Sequence, residues 1–140
     1  MVQASDLMIG NLLVTPEGKF EKVDALMLLD LSMAISSKNI GAFIYSPIPL
    51  SPEILGKARF KKYDWQDAYF IKTIFGDLYI HFYKGRIITR FVSVSKDNNG
   101  HKMVSLGFIG NQKSTEEIKY LHQLQNLVKI LTGSELTINL

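Results

Sequence analysis

The chain has 140 residues, which suits one domain with its own hydrophobic core and is short for two. Its composition, 46% hydrophobic and 21% charged, excludes a disordered chain, and the absence of cysteine excludes disulfides, thiolate metal sites and a cysteine nucleophile. The net charge of +3 and the sequence pI of about 9.1 are mildly basic, well short of the dense Lys and Arg stripe of proteins that hold many phosphates.

The sequence also argues against a membrane protein. It contains no apolar run of about 18 residues or more, the length that a spanning helix needs. The N-terminus carries Asp6 and no basic residue before Lys19, which is the wrong polarity for a secretory signal. We therefore expect a cytoplasmic location in the host cell and no membrane partner.

The first part of the chain, about residues 1–50, is predicted to be rich in strands. The segment "MIGNLLVTPEGKFEKV" (8–23) indicates two strands around a Pro-Glu-Gly turn. Residues 24–36 are ambiguous, because their Ala, Leu and Met favour a helix whereas the surroundings favour a strand. We favour the strand.

Prolines mark the clearest boundary, in "YSPIPLSPEIL" (45–55). Pro47 and Pro49 keep this stretch extended, since each restricts the residue before it. Ser51 is placed as an N-cap with Pro52 at the first helical position, so a short helix is predicted over about 52–58.

Regular turn signals then predict an antiparallel meander over about 66–109: Gly76-Asp77, Lys84-Gly85 and Asn99-Gly100. A two-residue loop at Lys84-Gly85 pairs Tyr83 with Arg86. One face of this hairpin then carries Leu78, Ile80 and Phe82 against Ile87, Thr89 and Phe91. Carrying the register through Asn99-Gly100 places three further residues on that face: Val104, Leu106 and Phe108.

A C-terminal helix is predicted over about 115–132. Ser114 and Glu117 have capping-box spacing, and Gly133 stands where the helix should end. The alternation of Leu136, Ile138 and Leu140 suggests a closing strand. The predicted fold is α+β in a single domain, residues 1–140: a twisted antiparallel sheet with the C-terminal helix on its apolar face and one short helix after the proline-rich segment.

The predicted C-terminal helix has two different faces. A helical wheel places six residues on the apolar side: Tyr120, Leu121, Leu124, Leu127, Val128 and Leu131. His122 and Asn126 fall on the polar side, which we expect to be a solvated surface; a groove for a partner around them is the alternative. Ile130 is the one apolar residue on that side, and it suits a dimer contact or a covering loop.

Three motifs, "MIGNLL", "PIPLSPEIL" and "YLHQLQNLVKILTGSEL", resemble a family of small proteins from Bacteroidetes bacteria, their phages and integrating elements. Its members have an Ile-Gly-Asn start, a Pro-Ile-Pro-Leu-Thr motif and a Leu-His-Gln-Leu-Gln-Asn-Leu helix. Ser51 stands here where Thr is usual, and "NLVKILTG" replaces a more aromatic version. The resemblance implies a mobile-element setting and no particular chemistry, so no catalytic residue is carried over.

The opposite face of the predicted hairpin carries the most suggestive side chains. The register places Tyr79 opposite Arg90, His81 opposite Ile88, and Tyr83 opposite Arg86. Tyr, His and Arg together can stack on a base and bind a phosphate, so the sequence suggests a nucleotide or another anionic ligand. The alternative is that Tyr and Arg form favourable cross-strand pairs with no ligand.

Other motifs give weaker signals. The segment "GFIGNQKST" (107–115) fails the Walker pattern, although backbone donors at the following helix start, helped by Lys113, could bind an anion. His81, His101 and His122 are too widely separated for a metal motif, and the Asp residues of "DWQD" (64–67) suit a loop. We predict no catalytic residue, no metal and no cofactor.

These observations favour a non-enzymatic binding protein of phage or mobile-element origin that sequesters an anionic, nucleotide-type ligand such as a host-defence signal. The alternatives are a nucleic-acid-binding accessory protein, a protein–protein adaptor without a small ligand and, third, an enzyme, which would need a polar pocket with perturbed acids. Ile130 and the apolar stretch 23–35 would also suit a homodimer.

Overall fold

A computed structural model describes residues 4–36, 45–64, 67–96, 98–100, 102–109 and 117–139. These residues form two antiparallel sheets and three α-helices, which confirms the predicted α+β class. The chain divides into two compact units. The first unit comprises residues 1–50, 120–136 and 140, and the second comprises residues 51–119 and 137–139.

The sheet of the first unit has the strand order β2-β1-β3, with β1 (Leu12–Val14) between β2 (Phe20–Lys22) and β3 (Ser46–Pro47). The β1–β2 turn is closed at Thr15, whose main-chain N–H donates to Lys19 O at 2.8 Å. This confirms the two strands predicted around Pro-Glu-Gly.

The next element is a helix, α1 (Ala25–Ser36), so the strand that we favoured for residues 24–36 is wrong. Asp24 caps the helix, since its Oδ1 accepts a hydrogen bond from the Met27 N–H at 2.8 Å. Leu31 packs in the core of this unit with Leu7, Leu13 and Val23. Local helix propensity therefore prevails over the strand-rich surroundings. The side of α1 away from this core exposes three apolar residues, Leu26, Leu29 and Met33.

The C-terminal helix, α3 (Leu121–Thr132), belongs to the first unit and begins later than the predicted start near residue 115. Before it, Tyr120 bridges to Pro49, and the Leu121 N–H donates to Ile48 O at 2.8 Å. Glu117 does not cap the helix, and Ser114 lies outside the described residues. Gly133 ends α3 in a left-handed conformation, with φ of 71°, as predicted.

The residues after α3 do not form the predicted closing strand. Residues 135–139 have no regular secondary structure, and Leu140 lies outside the described part of the chain. The alternation of apolar residues alone therefore does not produce a strand here, because a strand also needs a neighbouring strand with which to form hydrogen bonds.

The first turn of α3 is buried at His122, so the solvated face expected there is wrong. His122 is 3% exposed and Gln125 is 9% exposed. The Gln125 Oε1 accepts from the Leu12 N–H at 2.9 Å, and Asn126 Oδ1 accepts from Asn11 Nδ2 at 2.8 Å. The polar side of the helix thus binds the N-terminal segment through amide hydrogen bonds.

The second unit begins with α2 (Pro52–Lys57), which confirms the short helix. Ser51 Oγ accepts from the Ile54 N–H at 3.2 Å, as an N-cap does. Five strands follow in the order β4-β5-β6-β7-β8: β4 (Lys61–Tyr63), β5 (Ala68–Thr73), β6 (Gly76–Tyr83), β7 (Arg86–Lys96) and β8 (Lys102–Ile109). In the described residues, no helix is long and apolar enough to cross a membrane.

The predicted register is right for β6–β7 and wrong for β7–β8. Leu78 pairs with Phe91, and Ile80 pairs with Thr89, as expected. In the β7–β8 ladder, however, Phe108 pairs with Arg90, whereas a two-residue loop at Asn99-Gly100 would pair Phe108 with Phe91. The ladder ends at Lys96–Lys102, so the connection has five residues, 97–101. This shift of one residue pairs Val104, Leu106 and Phe108 with Val94, Val92 and Arg90. These partners belong to the face of β7 opposite to the one predicted.

The buried His122 makes the stability of the protein depend on pH. Burial lowers its pKa below the usual 6.5, Asp6 opposes this effect, and its buried Nδ1 has no hydrogen-bond partner in the described residues. The folded state therefore disfavours the protonated imidazole, whereas the unfolded chain protonates near pH 6.5. We expect the free energy of unfolding to fall as the pH drops below about 6.5.

Urea unfolding at several pH values between about 5 and 8 measures this effect against His122→Phe, which cannot titrate. The stability of the wild-type protein relative to the variant should decrease toward acid pH. A difference that is constant over this range would contradict the prediction.

Candidate functional site

One face of the five-stranded sheet brings together the ring and guanidinium side chains that the sequence singled out. Tyr79 pairs with Arg90, His81 with Ile88, and Tyr83 with Arg86, as predicted. The neighbouring strands add two residues that the sequence interpretation missed, Phe70 on β5 and Tyr63 on β4. Phe70 pairs with Tyr79. Tyr63 pairs with Ala68, which in turn pairs with His81. We call this set the aromatic–basic face: Tyr63, Phe70, Tyr79, His81, Tyr83, Arg86, Ile88 and Arg90.

The rings of this face contact one another across three strands. Phe70 and Tyr79 stack with their centroids 5.7 Å apart at 26°. Tyr63 meets both of them edge to face, at 6.2 Å and 6.3 Å. His81 continues the row beside Tyr79, at 6.3 Å and 30°. Such contacts favour defined orientations of the rings on this side of the sheet.

The face is accessible to a ligand. Tyr83 is 57% exposed and Tyr63 is 46% exposed, and Arg86 is also exposed. Phe70, Tyr79, His81, Ile88 and Arg90 are half-buried. The opposite face of β6 is different, since Leu78 and Ile80 are fully buried. The partial exposure of so many rings on one side of the sheet is the feature that most resembles a binding surface.

A concavity of about 480 Å³ lies at one end of this face and is lined by Asp67, His81, Phe82, Tyr83, Ile88 and Arg90. The main chain is paired here, since the Phe82 N–H donates to Asp67 O at 2.9 Å. The sequence interpretation treated Asp67 as a loop residue. Its position across from Phe82 follows only from the β5–β6 register, whose turn lies between Thr73 and Gly76 and not at the predicted Gly76-Asp77.

The environment shifts the pKa values of two site residues. Burial, followed by the positive charge of Arg90, lowers the pKa of His81 below 6.5. Burial, followed by the charge of Asp77 and the neighbouring Tyr63, raises the pKa of Tyr79 above 10. At neutral pH His81 is therefore a neutral ring and Tyr79 keeps its hydroxyl proton. Within this set the fixed positive charge resides on Arg86 and Arg90, and Lys61, which pairs with Phe70, adds a positive charge on the same side of the sheet.

Charge is distributed unequally between the units. Residues 51–119 contain twelve of the sixteen basic residues and seven of the thirteen acidic ones, a net charge of +5, and the rest of the chain carries −2. The modest overall charge of +3 therefore hides a distinctly basic unit. This unit carries the aromatic–basic face, which favours an anionic ligand.

The remaining predicted site residues lie elsewhere. Lys113 is outside the described residues. His122 is buried in the first unit, so it is not available to a partner there. Asn126 is half-buried and is bonded to Asn11 and to Asp6 O. Ile130 is 71% exposed. In the described residues, no group of three or more His, Cys, Asp or Glu could hold a metal ion.

Comparisons with protein-family models, with curated proteins and with solved structures found no match.

The coupling between His81 and Arg90 predicts a measurable shift. Arg90→Met removes a positive charge that disfavours the imidazolium, so the pKa of His81 should rise. It should stay below 6.5, because burial is the larger cause of its lowering. NMR titration of the His81 ring protons in both proteins measures the change.

Lys62→Met is the matched control, because it removes one positive charge from β4, where Lys62 pairs with Tyr69 on the other side of the sheet. This variant should leave the His81 titration unchanged. An Arg90→Met titration that superimposes on the wild-type curve would refute the coupling.

Proposed function

We propose that this protein is a non-enzymatic binding protein that holds an anionic, nucleotide-type ligand on the aromatic–basic face. The observation that supports the proposal is the pairing of the Tyr79, His81 and Tyr83 row with the Arg86 and Arg90 row on one accessible side of the sheet. A nucleotide has the two matching parts, a flat base and a charged phosphate.

The chemistry of each row suits one part of such a ligand. A base that stacks on an aromatic ring gains about 1–3 kcal/mol, and it does so whatever its identity. Guanidinium groups bind phosphate oxygens in a bidentate manner, which gives direction as well as energy. The concavity of about 480 Å³ lies within the range of about 300–1,000 Å³ typical of small-molecule sites.

Binding without turnover is proposed because the face offers recognition groups and not a catalytic set. His81 is the side chain there that titrates nearest neutrality, and no hydrogen bond in the described residues joins it to an acid that could orient it. The resemblance to phage and mobile-element proteins favours sequestration, in which a small protein removes a nucleotide-type signal of the host. A ligand released with its mass unchanged after prolonged incubation would agree with this reading.

Native mass spectrometry of the protein purified from host lysate, followed by denaturation, identifies a retained ligand, and calorimetry with the nucleoside monophosphates measures affinity directly. We expect Arg86→Ala combined with Arg90→Ala to weaken nucleotide binding by about 10- to 100-fold, the loss typical of hydrogen bonds to a charged group. Arg90→Lys combined with Arg86→Lys keeps the charge and should recover part of this loss, because lysine lacks the bidentate geometry.

Lys19→Ala combined with Lys22→Ala is the matched control: it removes the same charge from the first unit and should change the affinity less than about twofold. Equal affinities for the wild-type protein and the arginine variant would place the site elsewhere. If no nucleotide binds, the proposal fails, and the exposed Leu26, Leu29 and Met33 of α1 become the first surface to test for the protein–protein adaptor function.

A single-stranded nucleic acid is the second candidate, favoured by the charge of +5 on residues 51–119 and by the ring row that crosses from β4 to β6. The two ligands differ in salt dependence. A mononucleotide should bind as tightly as a ten-residue oligothymidylate if the primary proposal holds. An oligomer that binds more than about tenfold tighter would favour the nucleic acid instead. Its log affinity should then fall with log salt concentration with a slope of about −0.7 for each phosphate neutralised, so several contacted phosphates give a steep dependence.

A further inference from the structure

Helix α1 carries an apolar stripe on the side away from the core of its unit. Leu26 is 70% exposed, Leu29 is 54% exposed and Met33 is 61% exposed. Their spacing of three and then four residues places them on one side of the helix. Leu31 packs in the core on another side, so α1 is apolar nearly all round. A helix with this pattern is normally covered on both sides.

The charge of α1 indicates the kind of surface that can cover this stripe. Asp30 is exposed and is a neighbour of Leu26 and Met33 on the helix surface. It is the one charged residue of the helix sequence, Ala25–Ser36. In a two-fold contact between two α1 helices the same patch faces itself, so two Asp30 carboxylates would meet without a basic residue of either helix. The stripe therefore favours a partner surface that is basic as well as apolar.

The aromatic–basic face of the second unit has this chemistry. Tyr63, Tyr83 and Arg86 are exposed on it. Residues 51–119, which carry the face, have a net charge of +5, whereas the rest of the chain, which carries α1, has −2. Aromatic residues, Arg and Met are enriched in protein interfaces, and a methionine sulfur contacts aromatic rings favourably. The stripe and the face thus match in polarity and in charge.

The two surfaces also match in size. At 1.5 Å per residue, the stripe from Leu26 to Met33 is about 10 Å long. Tyr63 on β4 and Arg86 on β7 are three strands apart, which is about 14 Å at a strand spacing of about 4.8 Å. The concavity of about 480 Å³ on this face can receive an aliphatic side chain. Such an anchor in a pocket is the usual centre of an interface.

We infer that α1 of one copy docks on the aromatic–basic face of a second copy, with Leu29 at the centre of the contact and Asp30 toward the arginines. Because the two surfaces differ, each association leaves one helix and one face free, and copies continue head to tail into a ring or an open chain. The contact requires no nucleotide. A nucleotide on the same face would compete with it, so ligand binding would disperse the assembly.

Analytical ultracentrifugation of the full chain tests the association, at concentrations from about 10 μM to about 1 mM, which cover weak dissociation constants. We expect the mass to rise above the chain mass of 15.8 kDa with concentration. Added salt should weaken the association, because it screens opposite charges. Leu29→Lys should raise the dissociation constant at least about tenfold, as the loss of a central contact does. A monomer throughout this range would overturn the inference.

Ile130→Lys is the matched control for Leu29→Lys, because Ile130 is 71% exposed on α3 and the change is the same. Arg86→Glu should also raise the dissociation constant at least about tenfold. Its matched control is Lys62→Glu, on the other side of the sheet. Loss of association in either control would overturn the assignment of the surfaces. Leu26→Lys provides a second helix variant if Leu29→Lys fails to fold.

A mixture of the two variants distinguishes a head-to-tail contact from a symmetric one. Leu29→Lys keeps an intact face and Arg86→Glu keeps an intact helix. Where the wild-type protein associates, each variant alone should therefore be a monomer, and the two together should form a one-to-one dimer. Association of Arg86→Glu alone would indicate two helices in contact, and association of Leu29→Lys alone would indicate two faces. Either result, or a mixture that stays monomeric, would overturn the inference.

Nucleoside monophosphates separate this inference from the proposed function. A monophosphate that binds should disperse the wild-type assembly. One that binds to the arginine-dependent site and leaves the assembly intact would overturn the docking of α1 on this face, and the proposed function would stand. Head-to-tail association of a protein that binds no monophosphate would overturn the proposed function and support the docking of α1.

Discussion

The two-residue turn at Lys84 and Gly85 is the constraint on which the candidate site depends. Both residues have positive φ, 47° and 74°, which is the geometry of the tight hairpin turns that match the natural twist of paired strands. This turn pairs Tyr83 with Arg86, and every later pair of β6 and β7 follows from it. A slip of one residue would exchange the two faces of β7 and separate the arginines from the aromatic row.

The buried face holds this register more strongly than the exposed face does. Complete burial of an aliphatic side chain such as Leu78 or Ile80 stabilises the fold by about 1.5–3 kcal/mol. A cross-strand pair such as Tyr79 and Arg90 contributes about 0.2–1 kcal/mol. The packing of the buried face therefore contributes more to the register than any single cross-strand pair of the aromatic–basic face does.

The sequence could predict the elements whose causes are local. The Ser51 cap, the Gly133 stop and the β6–β7 hairpin each depend on a few neighbouring residues. Asn99-Gly100 gives an equally strong hairpin signal, yet the ladder ends at Lys96–Lys102, because a turn dipeptide does not fix where pairing stops.

The prediction of a solvated polar side for α3 is wrong because the residues that cover this side are remote in the sequence. A helical wheel assumes that one side of a helix is covered, whereas Gln125 and Asn126 bond to residues more than a hundred positions away. The Gln125 side chain satisfies the Leu12 N–H and donates to Gly10 O, so it serves the main chain of the N-terminal segment. Polar residues in a helix can thus mark an internal contact, and composition alone does not separate this case from solvent exposure.

The two arginines of the candidate site are unequal, and this inequality determines how a ligand would be held. Arg86 is exposed, so at physiological ionic strength salt screens its attraction for a phosphate at distances beyond about 8 Å. Arg90 is half-buried, and its charge is felt strongly enough to lower the pKa of His81. Charge on Arg90 therefore acts through a less polar environment, where its interaction with a phosphate is stronger. Arg86 would attract the ligand, Arg90 would hold the phosphate, and the uncharged His81 and Tyr83 rings would hold the base.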